Sequence, residues 1–498
     1  MAGTPDRRSR LARRSATSTL GLCVLLGLSV SCAPEAEKPP SVLLVVFDTL
    51  RADAVSFYGK VHGTTPNLDV LARQGLAYTR AYSSAPWTIP SHATLFTGLG
   101  VEEHQVGIGK HSLLPEELET LAEKFSKAGY ETVSISESAF ISEWFQLVQG
   151  FQRHRATRID ELTSLAVFEP ARPAQFAIKE INPVAEVQEW LLARTSERPF
   201  FLFVNLIDAH DPYEIREENP FVDAAVSDAE IRQHPTVPGG LLCGGIPTPE
   251  QIEVMRGLYL GGVAEADFKL GRIFERLRRA GLTENLVTVV TSDHGEHFGE
   301  HRLMGHEFSV RDTLLHVPLV VHGLPGVEPA IIDEPVALLD VAPSILSWAN
   351  QEVSPDLPGY LLPEAPRADA PERSLFAAYN DQYLNTRDEM GGLPPRDKDQ
   401  KRLHCGSGDP VFGSMAALTR YPFKLLWFDE YPLELYDLSW DPDELSNLAD
   451  RQPDVAARLA AEIEAQLAIS SIFEPETAPA EPISQEALEA LRGLGYVE

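Results

Sequence analysis

Hydrophobic positions along the chain fall into two patterns, short unbroken runs and longer stretches at helical spacing. Ser41-Val-Leu-Leu-Val-Val-Phe47 carries six apolar residues in seven, and Leu286-Val-Thr-Val-Val-Thr-Ser292 is rich in β-branched side chains. Unbroken runs of this length predict strands covered on both faces, as in a parallel sheet. Residues 199–206 and 131–135 read the same way. Apolar residues at helical spacing predict helices over 68–73, 91–99, 116–128 and 182–194, and a long one over 249–280. Strands alternating with helices give an α/β fold around a mainly parallel central sheet flanked by helices.

The pattern changes after the Pro-rich stretch 354–371. Residues 415–419, 423–428 and 435–437 predict antiparallel strands, and 454–467 an amphipathic helix. The expected division is an export signal over 1–32, a tether over 33–40, a large domain over 41–350 and a linker over 351–374. A smaller α+β domain with a tail then occupies 375–498. Residues 215–247, rich in Pro and Gly, read as a loop insertion that shapes a substrate pocket. The segment 473–482 carries little pattern before a short terminal helix.

Two features of composition narrow the function. The net charge is −31, and removing residues 1–31 leaves 37 basic against 72 acidic residues, a net of −35. No basic surface for nucleic acid or an anionic membrane is expected on such a chain. The N-terminus has Arg7, Arg8, Arg10, Arg13 and Arg14, then an apolar run over 20–30 that ends at Ser31-Cys32. This layout predicts a lipoprotein-type signal with Cys32 as the acylated new N-terminus, or a plain secretory signal cleaved nearby. The run is too short to span a bilayer, so the membrane is reached through a lipid anchor only. The mature protein is expected in the periplasm or cell envelope. Cys243 and Cys405 are the cysteines left for an oxidising compartment, and spacing alone leaves their pairing open.

Candidate chemistry gathers at strand ends. Asp48 follows the first strand, and Asp293 and His294 follow the strand 286–292. Open α/β sheets bind ligands at these carboxyl ends. A third segment, Ser84-Ala-Pro-Trp-Thr-Ile-Pro-Ser-His92, opens a helix. Pro90 suits its first turn and Ser91 can cap it, leaving free N–H groups facing an anion. Asp48, Thr88, Asp293 and His294 form a plausible four-ligand set for one divalent ion. Carboxylates mixed with an imidazole favour Zn or Mn over Ca.

The stretch Thr88-Ile-Pro-Ser-His92, with Asp48 and Asp293-His294, resembles the nucleophile loop and metal ligands of the sulfatase branch of the alkaline phosphatase superfamily. Further similar stretches are Pro199-Phe-Phe-Leu-Phe-Val-Asn-Leu-Ile-Asp-Ala-His-Asp-Pro-Tyr213, the run Leu435 to Leu448, and Leu491-Arg-Gly-Leu-Gly-Tyr-Val497. The resemblance implies an alkaline phosphatase-like large domain and a metal-dependent hydrolase of small-molecule, glycan or lipid anionic esters. It implies Thr88 as nucleophile, His210 and His306 at the transferred group or leaving oxygen, and His92 in place of the Arg that orients the nucleophile. No formylglycine is expected, because that modification acts on Cys or Ser. The Lys- and His-bearing segment of arylsulfatases is replaced by Ser136-Glu-Ser-Ala-Phe140.

A Thr nucleophile suits phosphoester or phosphonate ester cleavage, where water can release the group by attack at phosphorus. The alternatives are a sulfatase using unmodified Thr, a non-catalytic binding protein, and a phosphoryl-group transferase. Asp208 and His210 lack the Asp-x-x-x-His spacing of two-metal relatives. Arg51 reads either as a positive charge near the anion or as a loop ion-pair residue. Glu296, His297 and His301 read as residues behind the ligands or in solvent, and His316 and His322 as structural.

Overall fold

The computed structural model describes residues 38–59, 61–107, 113–159, 178–216, 219–223, 226, 247–306, 309–380, 414–429 and 431–469. The six apolar side chains of the strand Ser41–Phe47 are all buried, as the unbroken run predicts. Phe200–Leu206 and Leu286–Ser292 flank it in parallel. From edge to edge the sheet runs Ala330–Ile332, Leu76–Tyr82, His316–His322, Leu286–Ser292, Ser41–Phe47, Phe200–Leu206, Glu131–Ser136 and Arg153–Ala156, with Val336–Ala337 also paired to Leu76–Tyr82. His316–His322 is antiparallel to both neighbours, and the remaining pairs in this sheet are parallel. The fold is therefore α/β with a mixed, mostly parallel central sheet.

Alternation along the first strand sorts its side chains between two cores. Val42, Leu44 and Val46 join Phe96, Phe125 and Phe203 on one face. Leu43, Val45 and Phe47 join Val263, Leu270 and Ile273 of the long helix Pro249–Arg279 on the other. Burying whole strands on both sides removes them from edge pairing and fixes their register. That register places Val46 opposite Asn205 and Thr291, and Phe47 opposite Leu206 and Ser292. The residues that follow these strands therefore leave the sheet along one edge.

A separate antiparallel sheet takes Leu375–Asn380, Ser414–Arg420, Phe423–Phe428 and Glu434–Asp437 in that order. Its Leu418, Leu425 and Leu435 pack on Leu459 and Ile463 of the helix Pro453–Leu467. Met415, Leu426 and Phe428 join the large core instead. The Pro-rich stretch between the two sheets is packed against the large core. Leu362 N–H donates to Ser344 Oγ at 2.7 Å, and Tyr78 Oη donates to the Pro363 carbonyl at 2.9 Å. The predicted export signal, Cys243, Cys405, most of the loop insertion and the terminal segment lie outside the described residues. No described helix is long and apolar enough to cross a membrane.

Candidate active site

Asp48 is the first residue beyond its strand, and its N–H still donates to the Leu206 carbonyl at 2.8 Å. The ladder thus fixes the backbone that presents this carboxylate. At the neighbouring strand end, Asp293 Oδ1 accepts from the backbone N–H of Thr49 (3.2 Å) and of His294 (2.9 Å). Ser292 Oγ accepts from Leu50 N–H and donates to the His294 carbonyl. His294 Nδ1 is 3.0 Å from the Gly295 carbonyl, which only accepts, so Nδ1 is assigned the proton and Nε2 a bare lone pair. That Nε2 lies 3.4 Å from Asp293 Oδ2, 3.7 Å from Asp48 Oδ1 and 3.5 Å from Thr88 Oγ1. One ligand atom each of Asp48, Asp293 and His294 fits within 4.8 Å.

The electrostatics of this cluster call for a cation. Both oxygens of Asp48, and Oδ2 of Asp293, are buried without a hydrogen-bond partner. Burial pushes the Asp48 carboxyl up to about 7, against the downward pull of His306 and the Asn205 carboxamide. Burial, reinforced by Asp48, raises Asp293 well above the usual carboxylate range. Burial and the neighbouring His306 hold His294 well below the usual imidazole range. Unsatisfied buried carboxylates are costly unless a metal or partner takes up their charge. Two such groups beside a bare imidazole nitrogen fit a divalent ion of the kind oxygen-nitrogen sites hold.

The helix Thr88–Thr97 brings Thr88 to this cluster, and all ten of its residues are buried. It starts three residues earlier than the hydrophobic pattern predicts, with Trp87 at the N-cap. Pro90 still sits in the first turn, where a missing N–H costs nothing. The predicted cap at Ser91 is corrected by this start. Ser91 lies inside the helix, and its Oγ donates to the Asp293 carbonyl at 2.8 Å, tying helix to strand end. His92 Nδ1 lies 2.9 Å from the Thr88 carbonyl and is assigned the proton on the same acceptor argument. Burial pushes His92 down to about 4, so it is neutral at pH 7. Its ring packs on Phe96 and Phe203, each centroid 5.9 Å away. His92 braces the Thr88 backbone and supplies no fixed positive charge.

His306 stands between the other imidazoles, its ring 4.7 Å from His294 and 4.8 Å from His210. Its Nδ1 is 3.3 Å from Oε1 of the fully buried Glu296. His210 Nδ1 is hydrogen-bonded to the Asp211 carbonyl, and burial pushes this imidazole down to about 3. Thr88, His92, His210, His294, His306, Asp48 and Asp293 are thus linked by direct contacts into one group. Glu296 lies behind it.

Other candidates fall away from the group. Arg51 is held by Asp53 (2.8 Å from Nε and from Nη2), Glu300 (2.7 Å) and the Glu296 carbonyl (2.9 Å), which makes it a loop ion-pair residue. His301 Nε2 meets the Asp443 carbonyl, and His297 is buried among other groups. His316 bonds the Thr79 carbonyl and stacks on Tyr82, and His322 packs on Phe274. Sequence reasoning missed Asn205 and the ion cluster Glu137–Lys269–Asp208 under the His210 turn. Asn205 had a signal: it is the one polar residue in the buried strand Phe200–Leu206.

Comparison with known proteins identifies the family of the chain that carries this cluster. The family model described as Sulfatase matches residues 40–351, more than half of the chain. An arylsulfatase of Clostridium perfringens (strain 13 / Type A) is 23% identical over 470 residues, covering 83% of this chain and 91% of the relative. The multifunctional alkaline phosphatase superfamily protein PehA of Trinickia caryophylli is 25% identical over 489 residues, covering 82% and 91%. Among solved structures, the phosphonate monoester hydrolase of Agrobacterium radiobacter superposes with a TM-score of 0.64 at 22% identity, covering 86% of this chain and 95% of the other. With the matched segment carrying the strands, the helix and the ligand cluster just described, this chain belongs to the sulfatase family of the alkaline phosphatase superfamily, hydrolases of sulfate- and phosphate-type esters.

Proposed function

We propose that this hydrolase cleaves phosphonate monoesters or phosphodiesters, with Thr88 as the nucleophile. The observation that carries the reading is the place of the Thr88 hydroxyl, at a helix N-terminus and 3.5 Å from His294 Nε2 beside two unsatisfied carboxylates. Asp48, Asp293, His294 and Thr88 Oγ1 would hold one divalent ion, Zn or Mn rather than Ca from the mixed donor set. When bound, it lowers the hydroxyl pKa and offsets the charge on the ester oxygens.

The rest is the work of the chain. Thr88 Oγ, having lost its proton to solvent, forms a bond to phosphorus in line with the leaving alkoxide, which departs as the bond to its oxygen breaks. The first-turn N–H groups of the helix face the developing charge. His306, braced by Glu296, stabilises the anion or gives the leaving oxygen its proton, and His210, which burial keeps neutral, packs against the His306 ring. Water then attacks the phosphorus of the Thr88 ester, the bond from phosphorus to Thr88 Oγ breaks, and the water's protons return to Oγ and His306.

Charge supports a singly charged ester. His92 and His210 are held neutral by burial, and Arg51 is spent on Asp53 and Glu300. A phosphonate monoester or phosphodiester brings one negative oxygen to a site with these carboxylates nearby, whereas a phosphate monoester brings two. A second reading, hydrolysis of sulfate monoesters by unmodified Thr88, is favoured by the arylsulfatase among the relatives. Rates of the purified, metal-loaded enzyme on matched aryl phosphonate, phosphodiester, phosphate and sulfate esters separate the two. The first two are expected to be cleaved fastest, and a clear preference for the sulfate ester would establish the second reading.

A further inference from the structure

Asn205 is a polar side chain in a strand that is otherwise apolar and wholly buried. Its carboxamide can be oriented without ambiguity. The Ser138 backbone N–H, which can only donate, lies 3.2 Å from Oδ1, and Ser136 Oγ lies 3.1 Å from the same atom. An oxygen must therefore sit there, and the amide nitrogen faces the other way. That nitrogen is buried and meets no acceptor at full hydrogen-bond geometry among the described residues, although the carboxamide lies near enough to Asp48 to pull its carboxyl down. A buried amide left so costs on the order of 1–3 kcal/mol unless a partner arrives.

Register says which partner. Asn205 pairs with Ser136 on one side and Val46 on the other. Paired residues in a parallel sheet share a face, and Asp48 lies two residues beyond Val46 on the same alternation. Asp48 has two buried oxygens with no donor. A donor without an acceptor and an acceptor without a donor thus share one face and one edge of the sheet. The segment from Ser136 to Phe140 departs from the arylsulfatase pattern, and here its two serines find a use.

We propose that Asn205 is a positioning residue for Asp48: its Nδ2 donates to the Asp48 carboxylate, and the turn from Ser136 to Ser138 holds the amide in that orientation. One Asp48 oxygen is then aimed at the ion and the other is occupied. The inference rests on Asp48 being a metal ligand, as proposed above. Groups of this kind behind a metal typically change affinity by about 10–100-fold.

The test is the dissociation constant for Mn2+, measured by competition with a chelator on the full-length protein, together with the melting temperature of the metal-free form. Asn205→Leu removes the donor at similar volume and is expected to weaken Mn2+ binding by about 10–100-fold. Ser136→Ala, which leaves Ser138 N–H in place, is expected to weaken it less. Thr288→Val, a buried hydroxyl on the strand Leu286–Ser292 opposite Leu43, is expected to change nothing. Unchanged Mn2+ affinity in Asn205→Leu overturns the proposal. If that variant does not fold, unchanged affinity in Ser136→Ala overturns it. A wild-type protein that binds no Mn2+ or Zn2+ overturns the metal reading itself, and this proposal with it.

Discussion

At the scale of single residues, a site of this kind is a problem in satisfied and unsatisfied atoms. Most polar atoms around it have partners: Ser91 bonds the Asp293 carbonyl, Ser292 the His294 carbonyl, and His92 the Thr88 carbonyl. The oxygens of Asp48 and the outer oxygen of Asp293 do not. That contrast separates the proposed ligands from their support. Asp293→Ala is therefore expected to lose the bound metal and the activity together, because it removes both charge and geometry from the set. His316→Ala, away from the cluster, is expected to keep its metal. Metal content by elemental analysis of both purified variants checks this, and a fully loaded, active Asp293→Ala protein would place the ion elsewhere.

At the scale of elements, the sequence was most legible where burial is continuous. The strands at 41–47 and 286–292 and the long helix follow directly from apolar runs and helical spacing, and Asp48, Asp293 and His294 come with the strand ends. Local context hid the rest. The helix expected over 116–128 is only Leu121–Lys127, because Thr120 caps it through Glu123. The antiparallel direction of His316–His322 depends on neighbours far away in sequence. The strand Leu375–Asn380 begins where the linker is expected to end, and its short run, Leu-Phe-Ala-Ala-Tyr-Asn, carries no alternation that predicts a strand. Pairings between distant charges are equally silent. Lys424, fully buried on the small sheet, pairs with Asp312 (2.7 Å) beside the large sheet and with buried Glu444 (2.8 Å). Removing one member of a buried ion cluster strands the others. Lys424→Met should therefore destabilise the protein by about 3–5 kcal/mol in denaturant unfolding. A loss below about 1 kcal/mol would mean that water reaches these carboxylates.

At the scale of the whole molecule, the net charge of −31 repels an anionic substrate, so capture has to come from the local site. The N-terminal layout ending at Ser31-Cys32 supports our proposal of an exported lipoprotein. The mature protein is expected to start at acylated Cys32 and to enter the detergent phase, with Cys32→Ala released or left as precursor. An unmodified N-terminus beyond residue 33 would remove the anchor from the account. The central claim is that this fold presents Thr88 as the nucleophile rather than as an ordinary helix residue. Its most direct test is kcat/KM of Thr88→Ala for an aryl phosphonate monoester, with metal content and melting temperature measured on the same sample. The expected result is a fall of at least about 1000-fold with metal still bound and the fold intact. A variant that keeps its metal and its rate within about tenfold of wild type would contradict the claim.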